Sequence, residues 1–270
     1  MEKQYQEEKI NLNIKIEKKY ALSAMNDLHY HSSHYEIYLL LSGKQRYFIG
    51  NKFFDMHAGD IAVIKKGVLH KTQKDNGGNR ILLSFNQEFL HKYFLHNSLD
   101  VLLKFFDKKA IRLESEQLLK AQALMESVIK AQKKQDEEMV FYNVLQLFIL
   151  LNESNPLFNE EISNSVFAKT LEYVDKNFNQ ITCLEDVSNA LFISKYHICH
   201  LFKTNLDITF NNYLLKIKLK EAKRLLINTN HSVTKIASLC NFTNSTYFCY
   251  VFRNQIGVSP TKYRKQNKKS

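Results

Sequence analysis

The chain has 270 residues, enough for two domains with separate cores. Apolar residues make up 44% and charged residues 24%, which excludes fibrous and disordered classes. The net charge of +11 is segregated: residues 1 to 164 hold 22 Lys and Arg against 21 Asp and Glu, residues 165 to 270 hold 16 against 6. A polyanion facing the second segment suits that asymmetry; a merely solubilising surface would not confine the excess to one end.

In chain order, residues 1 to 19 (MEKQYQEEKINLNIKIEKK) are charged and lack the apolar run of a signal peptide. The segments YEIYLLLSG, QRYFIGNKFFDM, DIAVIKKG and NRILLSF are β-branched or aromatic runs separated by Ser-Gly, Gly-Asn, Gly-Asp and the Gly77-Gly78 turn. Short strands at this spacing predict a sandwich or small barrel. From Gln87 the period becomes helical, with Leu118, Ala121, Met125, Val128 and Ile129 on one face. A second helix, about residues 137 to 152, is apolar over most of its circumference and needs cover on several sides, from its own domain or from a second subunit. Its apolar stretch, MVFYNVLQLFILL, is too short and polar-punctuated to span a bilayer, so no membrane partner is expected. Four cysteines without a C-x-x-C pair read as reduced thiols of a cytoplasmic protein.

ESNPLFNEEISN carries Pro156 among Asn and Ser and reads as a linker. The predicted division is therefore residues 1–153, a linker at 154–164, and a basic domain at 165–270. The last segment reads as short helices only. Thr182 with Glu185 suggests a capping box; Ser194, Asn244 and Ser259-Pro260 mark further helix starts.

Within it lies an internal near-repeat. Val187, Ser194, Ile198, Leu201, Phe202 and Lys203 correspond in order to Ile236, Asn244, Phe248, Val251, Phe252 and Arg253, with tails ending at Tyr213 and Tyr263. Each copy is a short helix, a turn, a capping residue and a second helix apolar on one face, which is the plan of a helix-turn-helix. A protein-binding helical hairpin array is the competing explanation, for which two units are few. A helix over about residues 210 to 227 joins the copies; at 1.5 Å per residue it is ~27 Å long, near the ~34 Å of one DNA turn.

These positions resemble the AraC/XylS family of bacterial transcription regulators. The likeness covers residues 165 to 266 and includes Ser194, Ile198, Leu201-Phe202-Lys203, Lys218-Leu219, Ala222, Leu225-Leu226, Phe242, Tyr247-Phe248, Val251-Phe252-Arg253, Gly257, Ser259-Pro260 and Tyr263-Arg264. Three positions depart from the family pattern: Asp207 and Asn241 replace glycines, and Lys218 replaces an arginine. The resemblance implies base contacts from Tyr196, Cys199 and His200 in the first unit and Ser245, Thr246, Cys249 and Tyr250 in the second. His200 and Tyr250 stand where many relatives carry arginine, so apolar, shape-dependent reading of A·T-rich sites is expected. Lys203 and Arg253 are expected on phosphates, as are the helix starts at Thr209 and Ser259.

In the first domain, His29, His31 and Glu36 followed by Gly59, Gly67 and His70 resemble the two cupin motifs, with Lys65 and Lys74 replacing the proline and asparagine of the second and a glycine missing near Ser23. In cupin enzymes such residues converge on one metal; in AraC-type regulators the same barrel serves as an effector pocket, and no catalytic metal is expected. His34 is expected to point away from its neighbours. The predicted class is α+β: an N-terminal cupin-like β-barrel with a helical dimerisation segment, then an all-α domain with two helix-turn-helix units. The predicted function is an effector-responsive activator, not an enzyme and without a cofactor. Its expected partners are double-stranded DNA, a second copy of the chain, RNA polymerase and a small-molecule effector lining against His29, His31, Glu36 and His70. A metal-dependent cupin enzyme fused to a DNA-binding segment and an effector-independent DNA-binding dimer are the alternatives.

Overall fold

The computed structural model describes residues 13–20, 27–73, 78–94, 96–157 and 165–267. The charged start at 1–12, the positions at 23, 74 and 77, and residues 158–164 of the expected linker lie outside them. The chain divides into two compact units, Met1–Glu160 and Glu161–Ser270.

The first unit carries strands β1 (Ile14–Lys19), β2 (His34–Leu40), β3 (Lys44–Ile49), β4 (Lys52–His57), β5 (Asp60–Ile64), β6 (His70–Thr72), β7 (Arg80–Asn86), β8 (Ala110–Arg112) and β9 (Asn155–Pro156). They form a six-stranded sheet, β1-β7-β2-β5-β8-β9, and a three-stranded sheet, β4-β3-β6. Among the described residues the ladders do not close into the expected barrel. The outcome is an open two-sheet sandwich, because β6 and β8 are only three residues long and leave little ladder to join the sheets. Residues 155–157, expected in the linker, belong to this unit: β9 pairs with β8, and Leu157 is buried beside Ala110.

Alternation along β2 places the two layers. Ile37 and Leu39 join Ile61, Val63, Leu83 and Phe85 on the face packed against helices. Tyr38 and Leu40 face the second sheet with Tyr47, Ile49, Phe54 and Met56. After β7 come α1 (Gln87–Tyr93) and α2 (His96–Leu102), and the helix-covered face is completed by α3 (Ser115–Lys133) and α4 (Glu137–Glu153). The hairpin of α3 and α4 contributes Met125, Val128, Leu147 and Phe148 to the core. Met139, Tyr142 and Ile149 on α4 remain exposed, so this apolar helix is covered on one side only.

The second unit is wholly helical among the described residues: α5 (Val166–Asn177), α6 (Leu184–Leu191), α7 (Lys195–Leu206), α8 (Phe210–Asn228), α9 (Val233–Leu239), α10 (Ser245–Ile256) and α11 (Pro260–Asn267). The caps explain the boundaries. Ser194 Oγ accepts from the His197 amide at 3.2 Å, Asn244 Oδ1 from Tyr247 at 2.7 Å, and Ser259 Oγ from Lys262 at 3.3 Å. The capping box of α6 differs from the expected Thr182 and Glu185. Cys183 is the cap, and the Asp186 carboxylate accepts from the Thr182 amide and hydroxyl and the Cys183 amide at 2.7, 2.7 and 3.0 Å. Those hydrogen bonds, the Thr182 hydroxyl first, lower the Asp186 pKa to about 2.

Each repeat has its own aromatic core. Phe202 meets Phe167, Phe210 and Tyr213 at ring distances of 5.1, 5.5 and 5.2 Å. In the second copy Phe252 meets Phe248 and Tyr263, both at 5.5 Å. The turns differ by two residues: three residues separate α6 from α7, five separate α9 from α10, while the left-handed residue stands at Phe192 in one and Asn241 in the other.

Candidate nucleic-acid interface and ligand site

On α7, Tyr196, Cys199, His200 and Lys203 follow at i, i+3, i+4 and i+7, and all four are exposed. Ile198, Phe202 and Leu206 occupy the buried side of the same helix. On α10 the spacing recurs in Thr246, Cys249, Tyr250 and Arg253, with Ser245 at the helix start, against buried Phe248, Val251 and Phe252. Tyr196 is 83% exposed and Tyr250 64%, values an aromatic ring in water reaches only where nothing of its own chain covers it.

The helix ends are less alike. Asp207 ends α7 with a left-handed φ of 55°, the conformation Gly257 adopts at the end of α10. Asp207 thus keeps the turn but puts a carboxylate 2.5 Å from Lys203 Nζ. Arg253 faces a glycine at the equivalent position and has no acidic partner among the described residues. Phosphate binding by Lys203 would have to displace an exposed ion pair, a small cost. Thr209 and Ser259 both cap their helices, Thr209 Oγ1 accepting from the Asn212 amide at 3.2 Å.

Two units hold their relation through a residue the repeat does not advertise. Lys218 of α8 is buried, and its Nζ donates to Ile181 O at 3.1 Å and to Asn241 O at 2.9 Å. Asn241 Nδ2 donates to the same Ile181 carbonyl at 2.9 Å. The carbonyl before the first helix-turn-helix and the turn inside the second are thereby tied to one ammonium, whose pKa burial lowers.

In the first unit the four predicted pocket residues converge. Glu36 lies on the sheet-facing side of β2, His70 on β6, and His29 and His31 on the segment before β2, with His29 in an isolated bridge to His70. Glu36 Oε1 is 3.1 Å from His31 Nε2, and Oε2 is 3.4 Å from His70 Nε2. His34 joins them, against expectation. It shares a strand face with Glu36 two residues on, its Nε2 lies 3.9 Å from Oε1, and its ring stacks on His31 at 4.1 Å. The period of two in a strand was the available signal.

Burial pushes the Glu36 carboxyl up, but pairing with His31, and with His70 across 3.4 Å, holds it well below the usual carboxylate range. The His29 pKa falls to about 4, chiefly through burial and the neighbouring His70. Deeper between the sheets, Tyr47 is fully buried with an unpartnered hydroxyl, Tyr38 donates to Gln45 Oε1, and the Arg80 guanidinium lies 5.5 Å from the Tyr38 ring centroid.

A model of the AraC-like ligand binding domain matches residues 14–162, and a helix-turn-helix domain model matches residues 187–266. The chain belongs to the AraC family of transcription regulators. Among AraC-type relatives, it is similar to an uncharacterized HTH-type transcriptional regulator of Escherichia coli, YijO, at 31% identity over 150 residues, 54% of this chain and 51% of that one. It is also similar to the HTH-type transcriptional activator RhaR of Mannheimia succiniciproducens, at 25% identity over 247 residues, 88% of this chain and 86% of that one. The chain thus spans about half the length of the first relative and most of the second. The C-terminal domain of AraT, a response regulator from Geobacillus stearothermophilus, matches at 31% identity over 38% of this chain and 85% of its own, with a TM-score of 0.37. No helix among the described residues is long and apolar enough to cross a membrane.

Proposed function

We propose that this AraC-family chain activates transcription as a homodimer, reading DNA with α7 and α10 and responding to an effector held by its first unit. The observation that carries the reading is the matched pair of stripes, exposed Tyr196-Cys199-His200-Lys203 and Thr246-Cys249-Tyr250-Arg253, exposed except at half-buried Cys249, on two short capped helices. The basic excess of the second unit supports the same assignment. Activation follows the relative named as an activator, and RNA polymerase is the partner an activator implies. Regulation is a population shift: the effector binds one arrangement of the dimer better than another, and DNA occupancy follows.

In this scheme Tyr196, Cys199, His200, Ser245, Thr246, Cys249 and Tyr250 meet base edges, and Lys203, Arg253 and the helix starts at Thr209 and Ser259 meet phosphates. With tyrosines in place of guanine-seeking arginines, selection rests on thymine methyls and groove shape. Selecting bound fragments from a random DNA library should return a double site with half-sites about 10 base pairs apart. Tyr196→Ala should blur one half-site and Tyr250→Ala the other, with binding that weakens steeply as salt rises. Equal loss across all sequences in both variants would refute base reading by these residues.

A further inference from the structure

We propose that the His29, His31, His34, Glu36 and His70 cluster is a binding site for one divalent first-row transition-metal ion. The inference rests on the reading of the first unit as a sensor and names the chemical class of its ligand.

Hydrogen positions make the first argument. His29 Nδ1 is 2.8 Å from Asp27 O, and His70 Nδ1 is 2.9 Å from Val68 O. A carbonyl oxygen only accepts, so both Nδ1 atoms carry a proton and Nε2 is the atom each ring has left for a ligand. A backbone acceptor behind the ring is how metal-ligating histidines are oriented. His70 Nε2 is fully buried and has no hydrogen bond of acceptable geometry. Glu36 Oε2 lies 3.4 Å away. A buried imidazole nitrogen and a carboxylate oxygen facing each other inside a protein call for a cation, a proton or a metal ion, between them.

The spacing fits such an ion. Donor atoms of His29, His31 and His70 lie within 4.8 Å of one another, and so do those of His31, His34 and Glu36. Bonds of about 2.0–2.2 Å in a tetrahedral shell separate neighbouring donors by roughly 3.4 Å. The Glu36 distances to His31, His70 and His34 (3.1, 3.4 and 3.9 Å) bracket that value. Imidazoles with one carboxylate select zinc, nickel, cobalt or iron rather than magnesium or calcium.

Size decides between an ion and a larger organic molecule. Directly inward of Glu36, the space between the sheets is filled by Tyr38, Leu40, Tyr47, Ile49, Phe54 and Met56, all buried. The cluster reaches solvent through the partly exposed rings of His31 and His34. An ion entering past these two rings would meet His31, which belongs to both donor groups, together with neighbouring donors, without moving the packed interior.

The test uses the tag-free full-length chain, stripped with a chelator and titrated calorimetrically with zinc or nickel in the absence of DNA. One ion per chain is expected. His57→Ala, altering an exposed histidine outside the cluster, should bind like the parent. Glu36→Gln and His70→Ala should lose more than the roughly 10–100-fold that removal of an outer-shell partner costs. His31→Ala, at a partly exposed position, gives the same readout should a buried variant fail to fold by circular dichroism. No uptake, or uptake unchanged in the folded cluster variants, overturns the site. DNA affinity is measured separately with and without the ion. A chain that takes up metal but binds DNA equally in both states overturns the effector role, and one that binds DNA but no metal overturns the site alone.

Discussion

Phe192 is 96% exposed and holds a left-handed φ of 55° at the end of α6. The equivalent residue of the second repeat is Asn241, at φ 53°. Left-handed backbone costs an ordinary L-residue about 1–2 kcal/mol and asparagine less, and a ring in solvent recovers little of it by packing. Phe192→Asn should therefore raise the stability of the second unit by about 1 kcal/mol, read as a higher urea midpoint with unchanged slope. A lower midpoint would mean that the ring is packed in solution. The same scale explains the misplaced cap before α6. Thr182 and Cys183 both precede a carboxylate-bearing first turn, and only the backbone path shows that Asp186, rather than Glu185, turns back to their amides.

Among the elements, α8 does more than space two recognition helices. Its 19 residues give ~28 Å of rod at 1.5 Å per residue, and its third turn places Lys218 where both units can use it. Lys218→Met leaves two carbonyls without that donor, so stability should fall by about 1–3 kcal/mol, while Lys218→Arg retains donors and should lie closer to the parent. Thermal melts of the two variants decide this, and equal loss in both would show that the ammonium's fit, not its donors, matters. The repeat and the linker helix were legible from periodicity because each helix is amphipathic and capped by its own residues. The strands β8 and β9 were not. Three- and two-residue strands carry no period; β8 forms because β5 offers it an edge, and β9 because β8 then offers the next.

At the scale of the whole molecule, the helical hairpin carries several exposed apolar residues: Leu119 on α3, and Met139, Tyr142 and Ile149 on α4. Tyr142 and Ile149 are seven residues apart and share a face, the spacing of a helix seam. A patch of this kind suits contact with a second copy, as in the homodimer proposed above. Tyr142→Glu with Ile149→Glu should halve the mass seen by sedimentation and leave circular dichroism unchanged. A parent chain that already sediments as a monomer at micromolar concentration would rule out this face as the dimer contact. The charge asymmetry belongs to this scale too, since +10 of the +11 lies beyond residue 164.

Order along the chain determined by itself the two-part division, the helical class of the second unit and its internal repeat. Each of these is written in local period, capping chemistry or charge, quantities that neighbouring residues settle among themselves. The exposed positions on α7 and α10 and four of the five clustered residues came instead from resemblance to known families. Tertiary structure alone decided that the sandwich stays open and that Lys218 ties the two repeats. It also decided that His70 Nε2 comes within 3.4 Å of Glu36 Oε2. Those facts depend on groups 23 to 37 residues apart in the chain or on two separate sheets, and no local pattern records which distant backbone oxygen or side chain will arrive.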